Sequence, residues 1–172
     1  MSPADILVHP ATPDDLAAIN DIYNYYVLNS TCTYQETPDT LDDRRAWFAS
    51  HGPRHPVTVA TLDGQVVGWG CLSRFRDRSA YDRTCENSVY VRDGLHRRGI
   101  GAALLADLID RAAALDYHTI IAGIDAEQTA SIAFHARFGF VTVAHFREVG
   151  YKFGRWLDVV FMQLMLSRWL RA

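Results

Sequence analysis

Two arginines and two glycines stand together at the start of a helical pattern in the middle of the chain. The segment reads Arg97-Arg98-Gly99-Ile100-Gly101-Ala102, and apolar residues at helical spacing continue to Ile109. The first backbone N–H groups of a helix have no intrahelical partner, and glycines let an anion approach them closely. We therefore predict a pyrophosphate cradle over residues 97–102, with the two arginines adding positive charge.

The spacing of the glycines narrows the kind of pyrophosphate ligand. A dinucleotide fingerprint needs a third glycine at position 104, where this chain has Leu104, and a P-loop needs Gly-Lys-Ser or Gly-Lys-Thr, which does not occur here. A short turn between a strand and a helix, with no ligand, explains a lone Gly-x-Gly equally well. The neighbouring residues must therefore decide between a cradle and a plain turn.

A loop rich in arginine precedes the strand that leads to this turn. Arg74, Arg76 and Arg78 alternate along the loop, and Tyr81 follows. Residues two apart in an extended segment project to the same side, so Arg76 and Arg78 could hold one carboxylate together, with the Tyr81 hydroxyl as a third donor. A solvated surface loop is the usual setting of such a charge run. The residues alone leave both interpretations open.

The composition limits the class of protein. The chain has 172 residues, of which 49% are hydrophobic, so we expect a single folded domain over residues 1–172. A net charge of -3 argues against nucleic acid or a membrane surface as partner. The chain shows neither a long apolar run nor a signal peptide, and its three cysteines are far apart. We therefore expect a cytoplasmic protein with reduced thiols and no metal site.

The elements that must position these residues follow an alternating order of strands and helices. The order is β-α-α-β-β-β-α-β-α-β-β, which predicts an α+β fold of three layers. Its mixed, mostly antiparallel central sheet has about seven strands flanked by four helices. We predict strands over 6–9, 57–62, 65–72, 88–91, 119–124, 141–149 and 156–166, and helices that start near 12, 40, 99 and 129.

Residues 96–102 resemble motif A of the GNAT acyltransferases, in which Gln/Arg-x-x-Gly-x-Gly/Ala opens a helix on the pyrophosphate of acetyl-CoA. His96 stands where that family usually has Gln or Arg. Segments 78–91, 122–140 and 149–164 are similar to a narrower group, the phosphinothricin and methionine sulfoximine or sulfone N-acetyltransferases. The Lys-x-Gly-x-Trp-x-Asp-Val pattern of the third segment is the most specific. The resemblance implies the GNAT fold and an acetyl-CoA-dependent N-acetyltransferase for the α-amine of a small amino acid.

The resemblance also implies roles for individual residues. Glu86 corresponds to the catalytic glutamate of the group, and His135 would assist proton removal, lie beside the thioester sulfur or be structural. Residues implied to bind acetyl-CoA are Val89, Tyr90 and Val91 through their backbone, together with Arg97, Arg98, Gly99, Ile100, Gly101, Ala102 and Gln128, which replaces the usual Asn. Residues implied to bind the substrate are Arg76, Arg78, Tyr81 and Tyr34.

The resemblance implies direct transfer within a ternary complex by a homodimer that needs no metal. Two alternatives remain open from the sequence. The same fold can acetylate protein N-termini or lysines, although a compact arginine-rich loop suits a small carboxylate better. A non-catalytic acyl-CoA-binding module is the second alternative, and turnover with release of free CoA would distinguish it from an enzyme.

Overall fold

A seven-stranded sheet forms the centre of the fold. The computed structural model describes residues 6–169, apart from the side chains of residues 168 and 169. The strands are β1 (Leu7–Pro10), β2 (Val57–Leu62), β3 (Gln65–Arg74), β4 (Thr84–Val91), β5 (Thr119–Asp125), β6 (Val141–Lys152) and β7 (Arg155–Met165). The helices are α1 (Leu16–Asn29), α2 (Leu41–Ser50), α3 (Ile100–Ala114), α4 (Thr129–Arg137) and a single turn, α5 (Leu166–Trp169). The predicted order of elements and the predicted mixed sheet are confirmed.

The strand order β1-β2-β3-β4-β5-β7-β6 contains one parallel pair, β4 with β5. These two strands pair only between Thr84–Glu86 and Thr119–Ile121. Beyond Glu86, β4 continues to Val91 beside β3 and no longer pairs with β5. The sheet therefore splits at Glu86, and a cleft opens between the ends of its two halves.

The two faces of β4 meet different surroundings because successive side chains of a strand alternate. Cys85 and Val89 lie on the face covered by α3, whose apolar side is fully buried against the sheet. Tyr90 lies on the opposite face, which α1 and α2 cover with aromatic side chains such as Tyr23 and Trp47. Each fully buried aliphatic side chain of α3 stabilises the fold by about 1.5–3 kcal/mol, so this helix anchors the cleft firmly.

Local sequence signals determine the start of α2 and the turn between β2 and β3. Thr40 and Asp43 form a reciprocal capping box at the start of α2, with the Thr40 hydroxyl 3.1 Å from the Asp43 backbone N–H. Asp63 and Gly64 both have positive φ, 50° and 76°, as a two-residue hairpin between β2 and β3 requires. The hairpin predicted at this position is therefore confirmed.

Two boundaries differ from the sequence prediction. The central strand starts at Thr84 rather than at 88, because the segment before Ser88 pairs with both β3 and β5. The last hairpin turns at Phe153 and Gly154, whose φ values are 53° and 75°, so β6 continues to Lys152 rather than ending at 149 as predicted. Gly150 consequently lies inside β6, next to an irregularity in the pairing with β7.

Candidate active site

The cleft between β4 and β5 has a volume of about 70 Å³. The strand residues that line it are Asn87, Ser88, Val89 and Tyr90 on one side and Ala122, Gly123, Ile124 and Asp125 on the other. Cys32 from the loop after α1, with Gln128, Ser131 and His135 from α4 and its start, completes the wall. The cleft therefore exposes the free edge of β4 that the split in the sheet creates.

The start of α3 carries the glycines of the predicted cradle. Arg97 and Gly99 both have a left-handed backbone conformation, with φ 63° and 87°, and Arg98 between them does not. The first helical hydrogen bond runs from the Ala103 N–H to the Gly99 carbonyl at 2.9 Å. The three preceding N–H groups therefore have no intrahelical acceptor. The turn forms a concave nest of donors of the kind that binds anions.

Gly101 is not required by the packing of the chain itself. A Cβ built at this position would lie 3.6 Å from the Val91 Cγ2 atom and 3.7 Å from the Phe134 Cζ atom, which is ordinary van der Waals contact. An alanine would therefore fit when the cradle is empty. A glycine at this position is consistent with a ligand that approaches the backbone closely.

His96, which precedes the cradle, is hydrogen-bonded to Tyr26 of α1. Its Nε2 atom lies 2.8 Å from the Tyr26 hydroxyl, and that hydroxyl donates to the Val91 carbonyl. Since the Tyr26 proton goes to the carbonyl, His96 donates to the Tyr26 oxygen. The residue that departs from the family pattern thus links the cradle to α1 and to the end of β4.

Glu86 lies at the point where β4 and β5 separate. It is half-buried and stands opposite Ser73 of β3. Burial raises the pKa of the Glu86 carboxyl, while the backbone N–H of Gly123 and the positive charge of Arg76 counteract that rise. Removal from water therefore makes this carboxylate a better proton acceptor, and its neighbours keep it usable near neutral pH.

His135 and Asn87 form a buried pair at the wall of the cleft. The Ser131 carbonyl lies 2.9 Å from the His135 Nδ1 atom and can only accept, so the ring proton is on Nδ1. The Nε2 atom then accepts from the Asn87 amide at 3.1 Å. Burial lowers the pKa of His135, which keeps the ring neutral. Both ring nitrogens are therefore engaged within the chain.

The arginine loop does not continue the strand before it. Regular β3 pairing ends at Arg74, and a short 3₁₀ turn over Ser79–Tyr81 follows bends in the chain. Arg76 stacks on Phe75 with 5.0 Å between the guanidinium carbon and the ring centroid. The extended backbone assumed for Arg76 and Arg78 is therefore wrong, since their alternation does not by itself bring the two guanidinium groups together. The positive charge of Arg76 lowers the pKa of Glu86.

Tyr81 and Tyr34, the two tyrosines predicted to bind the substrate, make different contacts within the chain. Tyr81 is 37% exposed and packs edge-on against Phe75 at 5.8 Å. The Tyr34 hydroxyl donates to the Asp125 carboxylate at 2.8 Å, and its ring covers Gly150, where any Cβ would come within 2.2 Å of it. Tyr34 therefore fixes the loop after α1 against the ends of β5 and β6, at the rim of the cleft.

Gln128 caps the start of α4 and lines the cleft. Its amide donates to the Thr31 hydroxyl at 3.2 Å, which links α4 to the loop after α1. Within residues 6–169, no group of three or more His, Cys, Asp or Glu side chains is arranged to hold a metal ion. No helix in the described part of the chain is long and apolar enough to cross a membrane.

Comparison with known proteins identifies the architecture. Residues 19–140 match the Acetyltransferase (GNAT) family. The chain belongs to the GNAT family. It is 40% identical over 164 residues to a phosphinothricin N-acetyltransferase of Streptomyces coelicolor, covering 93% of this chain and 96% of the relative. It is 42% identical over 155 residues to an L-methionine sulfoximine/L-methionine sulfone acetyltransferase of Pseudomonas aeruginosa, covering 89% and 90%.

A solved structure with the same fold contains acetyl-CoA. The phosphinothricin acetyltransferase of Sinorhizobium meliloti, in complex with acetyl-CoA, superposes with a TM-score of 0.90 at 37% identity. The match covers 93% of this chain and 88% of that one. The resemblance inferred from the sequence motifs is therefore confirmed, and this GNAT protein is an acetyl-CoA-dependent N-acetyltransferase.

The cleft residues fit such a co-substrate. Asn87 lines the cleft, and its Oδ1 atom is fully buried and has no hydrogen-bond partner among the described residues. An unpaired buried acceptor suits an amide N–H of a bound chain, since leaving it unpaired costs about 1–3 kcal/mol. The open nest before α3 supplies matching donors for phosphate. The GNAT chain thus offers an acceptor in the cleft and donors at its end.

Sequence reasoning missed Asn87, Gly123 and Tyr26. Asn87 lies next to Glu86, but nothing in the sequence shows that β4 loses its partner strand at that point. The Gly123 N–H reaches Glu86 because β5 lies beside β4 in the sheet, although the two residues are 37 positions apart in the sequence. The unusual histidine at position 96 could have indicated a specific hydrogen-bond partner, which the structure shows to be Tyr26. These contacts join residues far apart in the chain.

Proposed function

We propose that this GNAT protein acetylates the α-amine of a small amino acid or analogue of the phosphinothricin and methionine sulfoximine type. The observation that carries the proposal is the half-buried Glu86, which has a raised pKa and stands where the cleft meets the arginine loop. The relatives named for these substrates match almost the whole chain. Transfer would be direct, in a ternary complex of enzyme, acetyl-CoA and amine.

We propose that acetyl-CoA is held at two places. The nest over Arg97, Arg98, Gly99, Ile100, Gly101 and Ala102 would bind the pyrophosphate through backbone N–H groups, and the exposed arginines would add charge. The backbone of Val89, Tyr90 and Val91 would pair with the pantetheine arm as with another strand, since β5 leaves that edge free. Gln128 and Asn87 would contact the same arm within the cleft. The bound co-substrate supplies an activated acetyl group as a thioester.

We propose that Glu86 removes the proton from the acceptor amine. A free α-amine is mostly protonated at neutral pH, so it must lose a proton before it can attack. Glu86 accepts that proton directly or through water. His135 acts as a positioning residue for Asn87, because its Nε2 lone pair already accepts from the Asn87 amide. Arg76, Arg78 and Tyr81 would hold the substrate carboxylate, and Tyr34 would border the side-chain pocket.

The proposal is tested with a panel of amines and acetyl-CoA, with free CoA measured as it forms. Free amino acids, sulfoximine, sulfone and phosphinic analogues should react, and the amide or methyl ester of the same amino acid should react about ten- to a hundredfold more slowly through loss of one charge-assisted hydrogen bond. Equal rates for acid and amide would contradict the proposal and make peptide N-termini the leading substrate class. Initial-rate lines that intersect would support a ternary complex, and parallel lines would contradict it.

We propose that the enzyme is a cytoplasmic homodimer. The edge strand β6 and the turn after it expose large apolar side chains, including Val141, Val143, Phe146, Val149 and Tyr151. Such an edge is an association surface unless it is covered, and a second copy would cover it. The free thiols of Cys32, Cys71 and Cys85 suit a reducing compartment. Light scattering after size-exclusion chromatography should give twice the mass of one chain. A Val149→Lys change should reduce the measured mass to that of a single chain.

A further inference from the structure

The loop after α1 crosses from one half of the split sheet to the other, and we call its residues 30–34 the strap. Helix α1 packs on the half that holds β1 to β4, where Ile19 and Ile22 belong to a buried cluster with Trp69. The strap is hydrogen-bonded to the other half, at β5, β6, β7 and the start of α4. It therefore bridges the cleft, and its residue Cys32 forms part of the cleft wall.

Lys152 of β6 holds the middle of the strap. The residue is 1% exposed, and its ammonium group donates to the Ser30 carbonyl at 2.8 Å and to the Thr33 carbonyl at 2.7 Å. The strap has no regular secondary structure, so these carbonyl groups have no partner in a helix or a sheet. The Thr33 hydroxyl also lies 2.9 Å from the Tyr23 hydroxyl of α1. Thr33 is thus bonded on both sides of the cleft, and Lys152 supplies the bond on the far side.

The composition of the chain sets Lys152 apart. Of the 17 lysine and arginine residues, Lys152 is the single lysine. A guanidinium group is a wide planar fork, whereas an ammonium group is compact and can direct separate N–H donors at two carbonyls. Among the described residues no carboxylate forms an ion pair with Lys152. Burying a charge without an ion pair is costly, so packing alone does not explain a lysine at this position.

Tyr34 adds a second attachment beside the first. Its hydroxyl donates to the Asp125 carboxylate at 2.8 Å, and its ring covers Gly150 of β6. Gly150 and Lys152 are two residues apart in one strand, so they lie on the same face of β6. The ring of Tyr34 and the ammonium group of Lys152 therefore hold neighbouring parts of the strap against a single strand.

These contacts give a role to the most specific pattern of the sequence, Lys-x-Gly-x-Trp-x-Asp-Val. The pattern begins at Lys152, and Gly154 follows in the hairpin turn with φ 75°. The turn brings β7 back beside β6, and the Asp158 carbonyl of β7 lies 3.1 Å from the Tyr34 hydroxyl. Residues at both ends of the pattern therefore contact the same short strap.

We propose that Lys152 is a positioning residue that fixes the strap across the cleft and so sets the width of the space for the pantetheine arm of acetyl-CoA. The inference rests on the proposed binding of that arm between β4 and β5. Lys152 is not among the residues that line the cleft and acts through the strap, which is. A strap that leaves its position must be ordered again by the co-substrate. The apparent affinity then falls by the fraction of molecules in which the strap is in place.

The first test measures binding by calorimetry in Lys152→Met, which keeps a long side chain but loses the charge and both donors. If the strap is in place in about a tenth of the variant molecules, acetyl-CoA should bind about tenfold more weakly. ADP carries a pyrophosphate but no pantetheine arm, so it should bind the variant and the wild type equally. A lower unfolding temperature with unchanged acetyl-CoA affinity, or an equal loss of ADP affinity, would overturn the proposal.

Arg155→Met is the matched control for the loss of positive charge. Arg155 belongs to the same hairpin as Lys152 and donates to the Glu127 carboxylate at 2.7 Å. Glu127 lies between β5 and α4, on the same side of the cleft as the hairpin, so this ion pair does not hold the strap. Arg155→Met should leave acetyl-CoA affinity unchanged. A loss equal to that in Lys152→Met would assign the effect to general charge and overturn the proposal.

The second test follows hydrogen–deuterium exchange in peptides of the wild type, so it does not depend on the folding of a variant. If a fixed strap favours acetyl-CoA, then acetyl-CoA must equally favour a fixed strap. Acetyl-CoA should therefore slow exchange in residues 30–34 and in residues 87–91 of β4, and ADP should slow neither. In Lys152→Met the strap should exchange faster than in the wild type when no ligand is present.

The two proposals fail in different ways. Slower exchange in residues 87–91 without any change in the strap would overturn the role of Lys152 and leave the pantetheine arm in the cleft. Slower exchange in neither segment would overturn both. These measurements need no acceptor amine, so they decide the role of the strap even if no amino acid is acetylated.

Discussion

The predicted cradle at residues 97–102 and the arginine loop at residues 75–81 would both bind anionic groups, but they are built differently. The donors of the cradle are backbone N–H groups, and the positive φ of Arg97 and Gly99 sets their directions. The donors of the loop are guanidinium groups on exposed side chains of a bending backbone. Ordering one such side chain costs up to about 1.5–2 kcal/mol of rotamer entropy. The predicted cradle would therefore be organised before a ligand arrives, whereas the loop would be organised by its ligand.

The difference teaches which changes each site should tolerate. A site made of backbone donors has no side chain that a mutation could remove. It loses anion binding only when a new side chain occupies the space of the anion. A side-chain site fails gradually, because a neighbouring donor or water can replace part of a lost contact. Glu86 depends on neither site alone, since Gly123 from β5 and Arg76 from the loop both lower its pKa. Variants at the three places should therefore differ in the size and in the kind of their effects.

Glu86→Gln should have the largest effect. The amide keeps the shape of the side chain but is a poor base, so kcat should fall by about 10²–10⁴-fold, the usual contribution of general-base catalysis. The affinity for acetyl-CoA in calorimetry should change little. The loss should shrink at high pH, where the free amine is already neutral. A kcat like that of the wild type at pH 7 would remove Glu86 from the mechanism.

Gly101→Val should break the cradle without touching the loop. A branched side chain would occupy the space that a phosphate needs, and two lost charge-assisted hydrogen bonds correspond to acetyl-CoA binding that is weaker by about a hundredfold or more in calorimetry. The matched control is Arg98→Ala, which removes only an exposed side chain and should weaken binding about tenfold or less. Equal effects of the two changes would show that the backbone is not the main anion site.

The contrast also explains how far the sequence could predict this molecule. The glycine pattern before α3 predicted a nest, because φ preferences and helix starts are local properties. The packing around Trp69 could not be predicted in the same way. Arg44, Trp69 and Tyr90 come together around one cavity only after β3 has paired with β4 and α2 has packed across both strands. The clamp by Arg76 and Arg78 was inferred from an extended backbone that ends at Arg74, so local alternation was the wrong guide.

Arg76→Ala should separate the two arginines of the loop. Loss of a charge-assisted contact to the substrate carboxylate should raise KM for the amino acid about ten- to a hundredfold. Arg76 also holds down the pKa of Glu86, so its removal should move the acidic limb of the kcat/KM profile to higher pH. Arg78→Ala should raise KM without moving that limb. Arg83→Ala, which loses only a surface ion pair with Asp116, should do neither. A limb that does not move in Arg76→Ala would separate this arginine from Glu86.

The smallest expected effect is the contribution of His135 to the pH dependence of stability. It tests whether the buried His135–Asn87 pair is held as rigidly as the backbone donors of the cradle. Burial lowers the pKa of His135 in the folded chain, whereas an unfolded histidine titrates near about 6.5. Below that pH the unfolded chain therefore binds a proton that the folded chain refuses. The free energy of unfolding must fall as the pH drops through this window, by at most about 1.4 kcal/mol per pH unit. Above it the contribution is constant.

Comparison with His135→Gln isolates this contribution. Denaturant unfolding at pH 7.5 and pH 5.5 should show a larger loss of stability on acidification for the wild type than for the variant, which has no imidazole to titrate. His118→Gln, at an exposed histidine, is the control for the loss of any imidazole. The Asn87 amide donates to His135, and protonation of the folded chain would remove that acceptor. Acetyl-CoA affinity of the wild type alone should therefore weaken only at still lower pH, where His135 of the folded chain itself takes up the proton. Parallel pH curves for wild type and His135→Gln would mean that the His135–Asn87 pair does not organise the cleft.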